Sequence, residues 1–310
     1  LLTLLPYIFG FTQELQTPRC IFDSLIQEAY KSEEFRIVMY NEEQDFQDFL
    51  KTKSLLSENA SIPVVIHIVK NSNDTDMNIT DEMVYRQLEI LNETYNQNNT
   101  DVENTPEFFE PLIGNVGFEF CLATVDPLGY STTGITRNST DVSVFSTVSN
   151  NIKYASEGGV DAWDTDSYLN IWVGKLSSSI LGYSHVPSAS VPDQEQGVVV
   201  NYPFFGETNH SSYNMGKTLV HEIGHYFNLK HPWGNGNCDQ NNDWVDDTPT
   251  SESAYAGSPV HPQTSCETVD MFMNFMDYVY DSSMVMFSIG QAERMQTALQ
   301  YFRPGLLVSN

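Results

Sequence analysis

Residues 219–231 have the sequence Leu-Val-His-Glu-Ile-Gly-His-Tyr-Phe-Asn-Leu-Lys-His, which is the most informative segment of the chain. His221 and His225 are four residues apart, so on a helix their imidazoles share one face, a spacing that suits two ligands of one Zn²⁺. Glu222 follows the first histidine, where its carboxylate can act as a general base on water. His231 would complete a three-histidine site with the fourth position open, which is typical of catalytic zinc.

The third histidine requires a sharp end to the helix, which we expect to run from about 214 to 228. His231 can return to the other two only if the chain turns soon after His225. Asn228 stands where a left-handed residue is needed, and Asn is the best choice there after Gly. The five-residue motif alone can arise by chance in an amphipathic helix, but the third histidine and the helix end argue against chance here.

Around this helix, hydrophobic patterning predicts four strands and two further helices. Strand candidates are residues 62–69, 116–123, 168–173 and 197–202, and the other helices run from Thr80 to about Tyr95 and onward from Ser288. Residues 232–268 are rich in Asn, Asp, Gly and Pro and have no periodicity, which predicts a long loop. Strands alternating with helices before a loop-rich half favour an α/β or α+β lobe joined to an irregular lobe.

The first 58 residues differ in character from the rest. Residues 1–11 are apolar and uncharged, which predicts a signal-peptide remnant, with an apolar first strand as the alternative. Residues 12–58 are acidic and have helical patterning, and the β-branched run that follows places a boundary near 57–61. Seven Asn-x-Ser/Thr sequons and an even number of cysteines are compatible with a secreted protein.

Charge narrows the classes of partner. The 310 residues include 41 acidic and 14 basic side chains, giving a formal net charge of −27 at pH 7. Nucleic acids and anionic lipids are bound through Lys and Arg, so this charge argues against both. No apolar stretch is long enough to span a membrane as a helix, and we expect a monomer. The acidity either keeps the protein soluble or gathers carboxylates around a hard cation such as Ca²⁺.

The zinc motif with a third histidine six residues on resembles the consensus of the metzincin metallopeptidases, although Asn228 replaces their usual Gly. Asn274-Phe-Met-Asp-Tyr278 resembles the Met-turn of these enzymes. The wider pattern is similar to the pappalysin family, from about Pro63 to the C-terminus. The segments that carry this similarity are Phe120–Ala123, Asp126-Pro, Thr133–Arg137, Tyr168–Val173, Leu181-Gly-Tyr, Gly197–Val200, Val245–Pro249 and Met286–Gln291.

The resemblance implies a fold, a reaction and roles for residues. It implies an α+β metzincin domain over 59–310, with a twisted mixed sheet and zinc helix in the upper lobe and a Met-turn and C-terminal helix in an irregular lower lobe. The zinc ligands would be His221, His225 and His231, the base Glu222, the Met-turn residue Met276, and Tyr278 would support the transition state. Such a protein is a secreted zinc endopeptidase acting on proteins or peptides. The alternative is an inactive metzincin-like binding module.

Four Asp in nine residues make the long loop a calcium candidate, since pappalysin-like enzymes bind structural calcium in this region. Asp246 and Thr248, and also Asp243, would be ligands, and a solvated acidic loop is the alternative. Cys238 and Cys266 flank the loop and would close it if bridged. The family's second bridge nearby is absent, because serines stand at the corresponding positions.

Cys20, in Pro18-Arg-Cys20, resembles a cysteine switch whose thiolate fills the open zinc position of a latent enzyme. The usual following Gly is replaced by Ile21, and a Cys20–Cys121 disulfide or two free thiols are the alternatives. Activation would be cleavage near 51–59. An extended substrate would pair with an edge strand at 181–187. Asp281 could supply charge to a pocket for a basic residue after the scissile bond, or be an exposed loop residue.

Overall fold

A six-stranded sheet organises the molecule, which we describe from a computed structural model. The structure describes residues 20–23, 26, 31–53, 56, 59–177, 179–234, 236, 238 and 243–307. The expected signal remnant at 1–11 and parts of the 12–58 segment lie outside these residues.

The strands of the sheet are β1 (Ala60–Asn71), β2 (Phe118–Leu122), β3 (Ile135–Thr140), β4 (Leu169–Gly174), β5 (Gly182–Ser184) and β6 (Val198–Asn201). Their order is β2-β1-β4-β6-β5, and β3 pairs with the second half of β1 beyond β2. All pairs are parallel except β5 with β6, which are antiparallel at one edge. A short hairpin, β7 (Thr264–Ser265) and β8 (Thr268–Val269), lies in the loop-rich half.

Within the described part of the chain, four α-helices pack around the sheet: α1 (Glu33–Thr52), α2 (Asp81–Tyr95), α3 (Lys217–Tyr226) and α4 (Ile289–Phe302). Ser32, Thr80 and Ser288 accept hydrogen bonds from the first turns of α1, α2 and α4, and Ser288 forms a full capping box with Gln291. No helix among the described residues is long and apolar enough to cross a membrane.

The main core lies between this sheet and the helices α2, α3 and α4. Alternate residues of β1, including Ile62, Val64 and Ile66, pack there with Leu219, Val220 and Ile223 of α3. The continuous apolar run of β1 is buried on both faces, as expected for an inner parallel strand. The predicted α+β architecture with a mixed sheet is confirmed.

The loop-rich half from 232 to 287 packs against the same core through Met271–Met276 and Met284–Phe287. A disulfide joins Cys238 to Cys266, which confirms the predicted bridge across the long loop. The fold therefore sets a zinc-motif helix between a sheet and an irregular lobe, with the antiparallel edge strand β5 alongside.

Candidate active site

Helix α3, which carries the zinc motif, is shorter than its pattern predicted because left-handed residues bound it. Gly216 at its start has φ +69°, and Asn228 just beyond its end has φ +70°. The N–H of Leu229 donates to Gly224 and that of Asn228 to His225, which forms a Schellman motif with Asn at the left-handed position. The chain thereby reverses after α3, as the third histidine required.

The reversal brings the three histidines together. Nε2 of His231 lies 3.1 Å from Nε2 of His225 and 3.2 Å from Nε2 of His221. Tetrahedral Zn²⁺ with Zn–N bonds of about 2.0–2.1 Å places its ligand nitrogens about 3.3 Å apart. The three side chains are almost wholly buried, and the spacing of their nitrogens matches that of zinc ligands.

Hydrogen bonds on the far side of two rings fix which nitrogen faces the centre. Nδ1 of His221 lies 2.8 Å from the carbonyl of Phe275, and Nδ1 of His225 lies 2.8 Å from the carbonyl of Leu229. A carbonyl can only accept, so both Nδ1 atoms carry the proton and both Nε2 atoms present a lone pair. Burial also lowers the pKa of His225 well below its usual value, which keeps it neutral. The cluster is a set of converging lone pairs that fits a divalent cation.

Glu222 and the edge strand lie together beside this cluster. Glu222 is 1% exposed, and a Cβ added at Gly182 of β5 would lie 3.0 Å from its Cγ and 2.9 Å from the Val199 carbonyl. Only glycine therefore lets the edge strand approach the carboxylate so closely. The edge strand predicted at 181–187 is present as β5, and the geometry can align an extended peptide beside Glu222.

The Met-turn candidate packs beneath α3. Met276 is fully buried, and a Cβ added at Gly224 would lie 2.4 Å from its Sδ, so this contact depends on the glycine inside the zinc motif. Tyr278 is half-buried near His231, with ring centroids 4.9 Å apart. Its hydroxyl donates to the Cys20 carbonyl at 3.1 Å, so it can reach a carbonyl bound in the cleft.

Cys20 occupies the open side of the histidine cluster. Its Sγ and one nitrogen of each histidine all lie within 4.8 Å of one another, and Sγ is 3.4 Å from Oε2 of Glu222. Cys20 and Cys121 are both free thiols, the first buried and the second exposed, so the alternative disulfide between them is wrong. Burial and the Glu222 carboxylate raise the pKa of the Cys20 thiol, and only a bound cation would make it a thiolate ligand.

The residues after Cys20 were missed by sequence reasoning. Ile21, which replaces the usual glycine, packs into a second apolar cluster with Trp172 and Tyr183. Phe22 stacks on the ring of His225 at 4.0 Å, and Asp23 Oδ1 lies 2.8 Å from Nδ1 of His231. No local pattern signals these contacts, because each joins residues at least about 150 positions apart.

A buried ion pair far along the chain was also missed. Both Oε atoms of Glu43, in α1, accept 2.8 Å bonds from the guanidinium of Arg294 in α4. Lys230 Nζ lies 3.7 Å from Glu43, and Arg294 Nε donates to the carbonyl of Asn228 at 2.7 Å. Burial alone would raise the pKa of Glu43, but Arg294 and Lys230 hold it at about 2. The segment before β1 is therefore tied to the turn that positions His231.

The calcium candidates are only partly brought together. Asp243 is buried, and its carboxylate accepts from the hydroxyl of Thr248 at 2.5 Å and the N–H of Val245 at 3.1 Å. Asp246 is exposed. Among the residues described, the Cys20–histidine cluster is the one converging group of three or more Cys, His, Asp or Glu ligands. Residues 239–242 of this loop lie outside the described part of the chain.

Asp281 is 1% exposed, so the alternative of an exposed loop residue is wrong. Its carboxylate accepts from the N–H of Met215 at 2.9 Å and from that of Lys217 at 3.4 Å, at the start of α3. Nζ of Lys217 donates to the Asp281 carbonyl at 2.8 Å. Asp281 thus holds the start of the zinc-motif helix, and its part in a substrate pocket stays a prediction.

Comparison with known proteins gives concordant matches. The model of the peptidase M43 family, described as pregnancy-associated plasma protein-A, matches residues 152–300. An extracellular metalloprotease of Arthroderma gypseum is 30% identical over 275 residues, covering 86% of this chain and 81% of that protein. An extracellular metalloprotease of Arthroderma benhamiae is 29% identical over 256 residues, covering 80% of this chain and 74% of that protein.

Two solved structures from Tannerella forsythia resemble this fold over most of the chain. Mature mirolysin in complex with a cleaved peptide superposes with a TM-score of 0.77 at 39% identity, covering 82% of this chain and 97% of mirolysin. A promirolysin mutant superposes with a TM-score of 0.85 at 36% identity, covering 94% of this chain and 97% of promirolysin. With the geometry above, these matches show that the chain belongs to the pappalysin family of metzincins and is a zinc metalloendopeptidase.

Proposed function

We propose that this endopeptidase holds one Zn²⁺ with His221, His225 and His231, uses Glu222 as general base, and is secreted in a latent form. The observation that carries the proposal is the convergence of three Nε2 lone pairs on a point bordered by Glu222 and Cys20. Secretion is supported by relatives that are named extracellular metalloproteases. The expected substrates are proteins or peptides, and we expect the enzyme to act as a monomer.

Each residue has a defined task in peptide hydrolysis. A zinc ion held by the three histidines would act as a Lewis acid on the scissile carbonyl and would lower the pKa of the attacking water toward about 7. Glu222 takes a proton from that water and passes it to the leaving amine. The Tyr278 hydroxyl donates to the carbonyl oxygen as its negative charge develops, a role supported by its bond to the Cys20 carbonyl. Met276 supports the floor of the site from below α3.

Latency is supported by the contacts of residues 20–23, within a pro-segment proposed to span 12–58. Cys20 pairs as an isolated bridge with Gly182 of the edge strand, where a substrate backbone would lie. Its sulfur faces the three histidines and Glu222, so it excludes both water and substrate. Activation would then be cleavage near 51–59, ahead of β1, followed by loss of the segment.

The proposal also includes a structural Ca²⁺ in the 238–248 loop, with Asp243, Asp246 and Thr248 as ligands. Burial raises the pKa of Asp243 to about 6, so its ionised form is poorly stabilised by its neighbours and would gain from a cation. Addition of Ca²⁺ but not Mg²⁺ should raise the melting temperature, and Asp243→Asn should remove most of that increase. Equal melting with and without Ca²⁺ would contradict this part.

The deciding experiment measures peptide cleavage by the activated enzyme. A zinc chelator should abolish cleavage and added Zn²⁺ should restore it, while Glu222→Gln should lower kcat by about a thousandfold or more. Glu82→Gln, on the exposed face of α2, is the matched control and should leave the rate unchanged. Cleavage that survives both the chelator and Glu222→Gln would contradict the proposal. An activated chain that binds peptides without cleaving any would favour the inactive binding module.

A further inference from the structure

A cavity of about 750 Å³ lies beside the end of the edge strand β5. One wall comes from the segment before β1 and is apolar: Ile21, Ile26, Phe35 and Met39. The opposite wall belongs to the catalytic domain and combines Val186, Val191 and Pro192 with the polar residues Asn150, His185 and Glu195. The wall from the segment before β1 is therefore apolar, whereas the wall from the catalytic domain also offers polar side chains.

Two polar atoms on the catalytic wall are buried without a hydrogen-bond partner. They are Oδ1 of Asn150, a residue that is 7% exposed, and Nδ1 of His185. Buried polar atoms are nearly always paired, so two such atoms on residues that line one cavity indicate a ligand other than the segment that now closes it. The apolar side chains of that segment have no donor to offer.

The orientation of Asn150 is fixed by its neighbours. Its Nδ2 donates to Oε2 of Glu195 at 2.6 Å, which assigns the other end of the amide as the acceptor. Tyr154 donates its hydroxyl to Oε1 of Glu195 at 2.7 Å, and Lys153 donates to the Glu195 backbone carbonyl at 2.6 Å. The wall thus presents Oδ1 of Asn150 as an acceptor, and the Glu195 carboxylate fixes the orientation of that amide.

His185 adds an imidazole ring whose Nδ1 has no hydrogen-bond partner, and a neutral imidazole carries one acceptor nitrogen. Burial and Lys153 lower the pKa of His185 to about 3, so the ring is neutral at physiological pH. Burial lowers the pKa of Lys153 to about 7, which weakens its compensation of the nearby Glu195 charge. A chain with a net charge of −27 also attracts cationic side chains from solution.

We propose that, once the pro-segment leaves, this wall is a subsite for a long substrate side chain that ends in N–H donors, namely Gln, Lys or Arg. The inference rests on the proposed peptidase function and adds a specificity to it. The apolar stem would pack on Val186, Val191 and Pro192, and the terminal N–H groups would bond to Asn150 Oδ1 and the His185 ring. Because the wall follows β5, the side chain belongs to a residue on the side of the scissile bond toward which β5 runs.

The test is cleavage of peptide libraries by the zinc-loaded, activated enzyme, with every position on both sides of the bond varied. At one position on one side, Gln, Lys and Arg should be cleaved about five- to tenfold faster, by kcat/KM, than Met. Met has a similar length without donors, and Glu should be disfavoured because it only accepts and repels Glu195. Equal cleavage of Gln, Arg and Met peptides at every position on that side would overturn the inference. Failure to cleave any library peptide would instead count against the peptidase function.

Variants separate the subsite from the general cleft. Asn150→Gly keeps the left-handed backbone at φ +51° and removes the acceptor, and His185→Leu removes the second. Each should lower the Gln-to-Met ratio of kcat/KM toward one. Gln97→Gly, at another left-handed residue that lies outside this wall, is the matched control and should keep the ratio. If only one of the two variants folds, it is sufficient for the test, and a ratio unchanged in every variant that folds would overturn the inference.

Discussion

The proposed pro-segment touches the catalytic domain in two regions that differ in chemistry. Residues 20–23 lie in the cleft and contact the atoms that would perform hydrolysis, through one thiol, one ring and one carboxylate. Helix α1 lies on α4 instead, through the buried Glu43–Arg294 pair and the ring of Phe46 stacked 5.3 Å from Phe302. The first contact blocks chemistry directly, and the second is a packed interface with no catalytic group.

This difference indicates that residues 20–23 block the active site, whereas helix α1 adds affinity between the pro-segment and the catalytic domain. The four residues in the cleft can exclude water and substrate, and the side chains of Ile21 and Phe22 are buried against the catalytic domain. The helix contributes fully buried Phe46 and a bidentate ion pair with an almost wholly buried Arg294, so it should add to the binding free energy without contacting a catalytic atom. Variants in the two regions should therefore change different measured quantities.

The largest effect on pro-segment binding is expected from Glu43→Gln. It leaves Arg294 and Lys230 buried together without their carboxylate, and breaking such a pair costs about 3–5 kcal/mol. A synthetic peptide of residues 12–58 with this change should inhibit the activated enzyme at least a hundredfold more weakly than the unchanged peptide. An inhibition constant within threefold of that of the unchanged peptide would show that helix α1 does not contribute the expected affinity.

Acid should weaken the same contact. The pKa of Glu43 is about 2 in the folded protein against an ordinary 4.5, so its stabilisation is fully present above pH 4.5 and is lost as the pH falls toward 2. The linked loss is about 3 kcal/mol of pro-segment affinity across that interval. Binding of the 12–58 peptide to an inactive Glu222→Gln enzyme, followed by fluorescence between pH 6 and 3, should show the fall. The Glu43→Gln peptide should lack this component.

Cys20→Ala should change affinity less but latency more. Removing the sulfur opens the side of the cluster that faces Glu222, while the helix contact stays intact. The full-length variant should cleave a peptide substrate before any processing, and the 12–58 peptide should lose about tenfold in affinity. Unchanged latency of the full-length variant, seen as no cleavage before processing, would remove the cysteine switch.

The smallest effect belongs to Asp48→Asn on the solvent side of α1. Asp48 pairs with Lys51 at 2.9 Å, but both side chains are largely exposed, and such pairs contribute about 0.5 kcal/mol or less. Inhibition by the 12–58 peptide should change less than threefold. A larger change would mean that α1 binds through its exposed face as well.

Local pattern predicted the elements and the zinc motif because both are encoded over short distances. The inner strands and α2 are confirmed with small changes at their ends, and the turn at Asn228 has the expected left-handed backbone. Strand β3 was not predicted as a strand, because its polar sequence Ile-Thr-Arg-Asn-Ser-Thr has no apolar alternation. Its pairing comes from the long strand β1.

The contacts of Asp23 and Glu43 could not be predicted from the sequence. They join residues 208 and 251 positions apart, and neither residue belongs to a motif. The same holds for the buried acceptors of Asn150 and His185, whose meaning depends on the cavity between them. Periodicity reports which face of an element is buried, but not which distant partner covers it.

The contact of Met276 with Gly224 has a consequence for how the active site is built during folding. The zinc-motif helix and the Met-turn meet where even one methyl group would not fit, although about fifty residues of loop separate them. Helix α3 can form from local contacts. Its His221 can hydrogen-bond to the Phe275 carbonyl, and Met276 can pack beneath the helix, only when this distant segment docks. Because such non-local contacts form slowly, zinc-binding competence should appear late in folding, after the sheet and helices are in place.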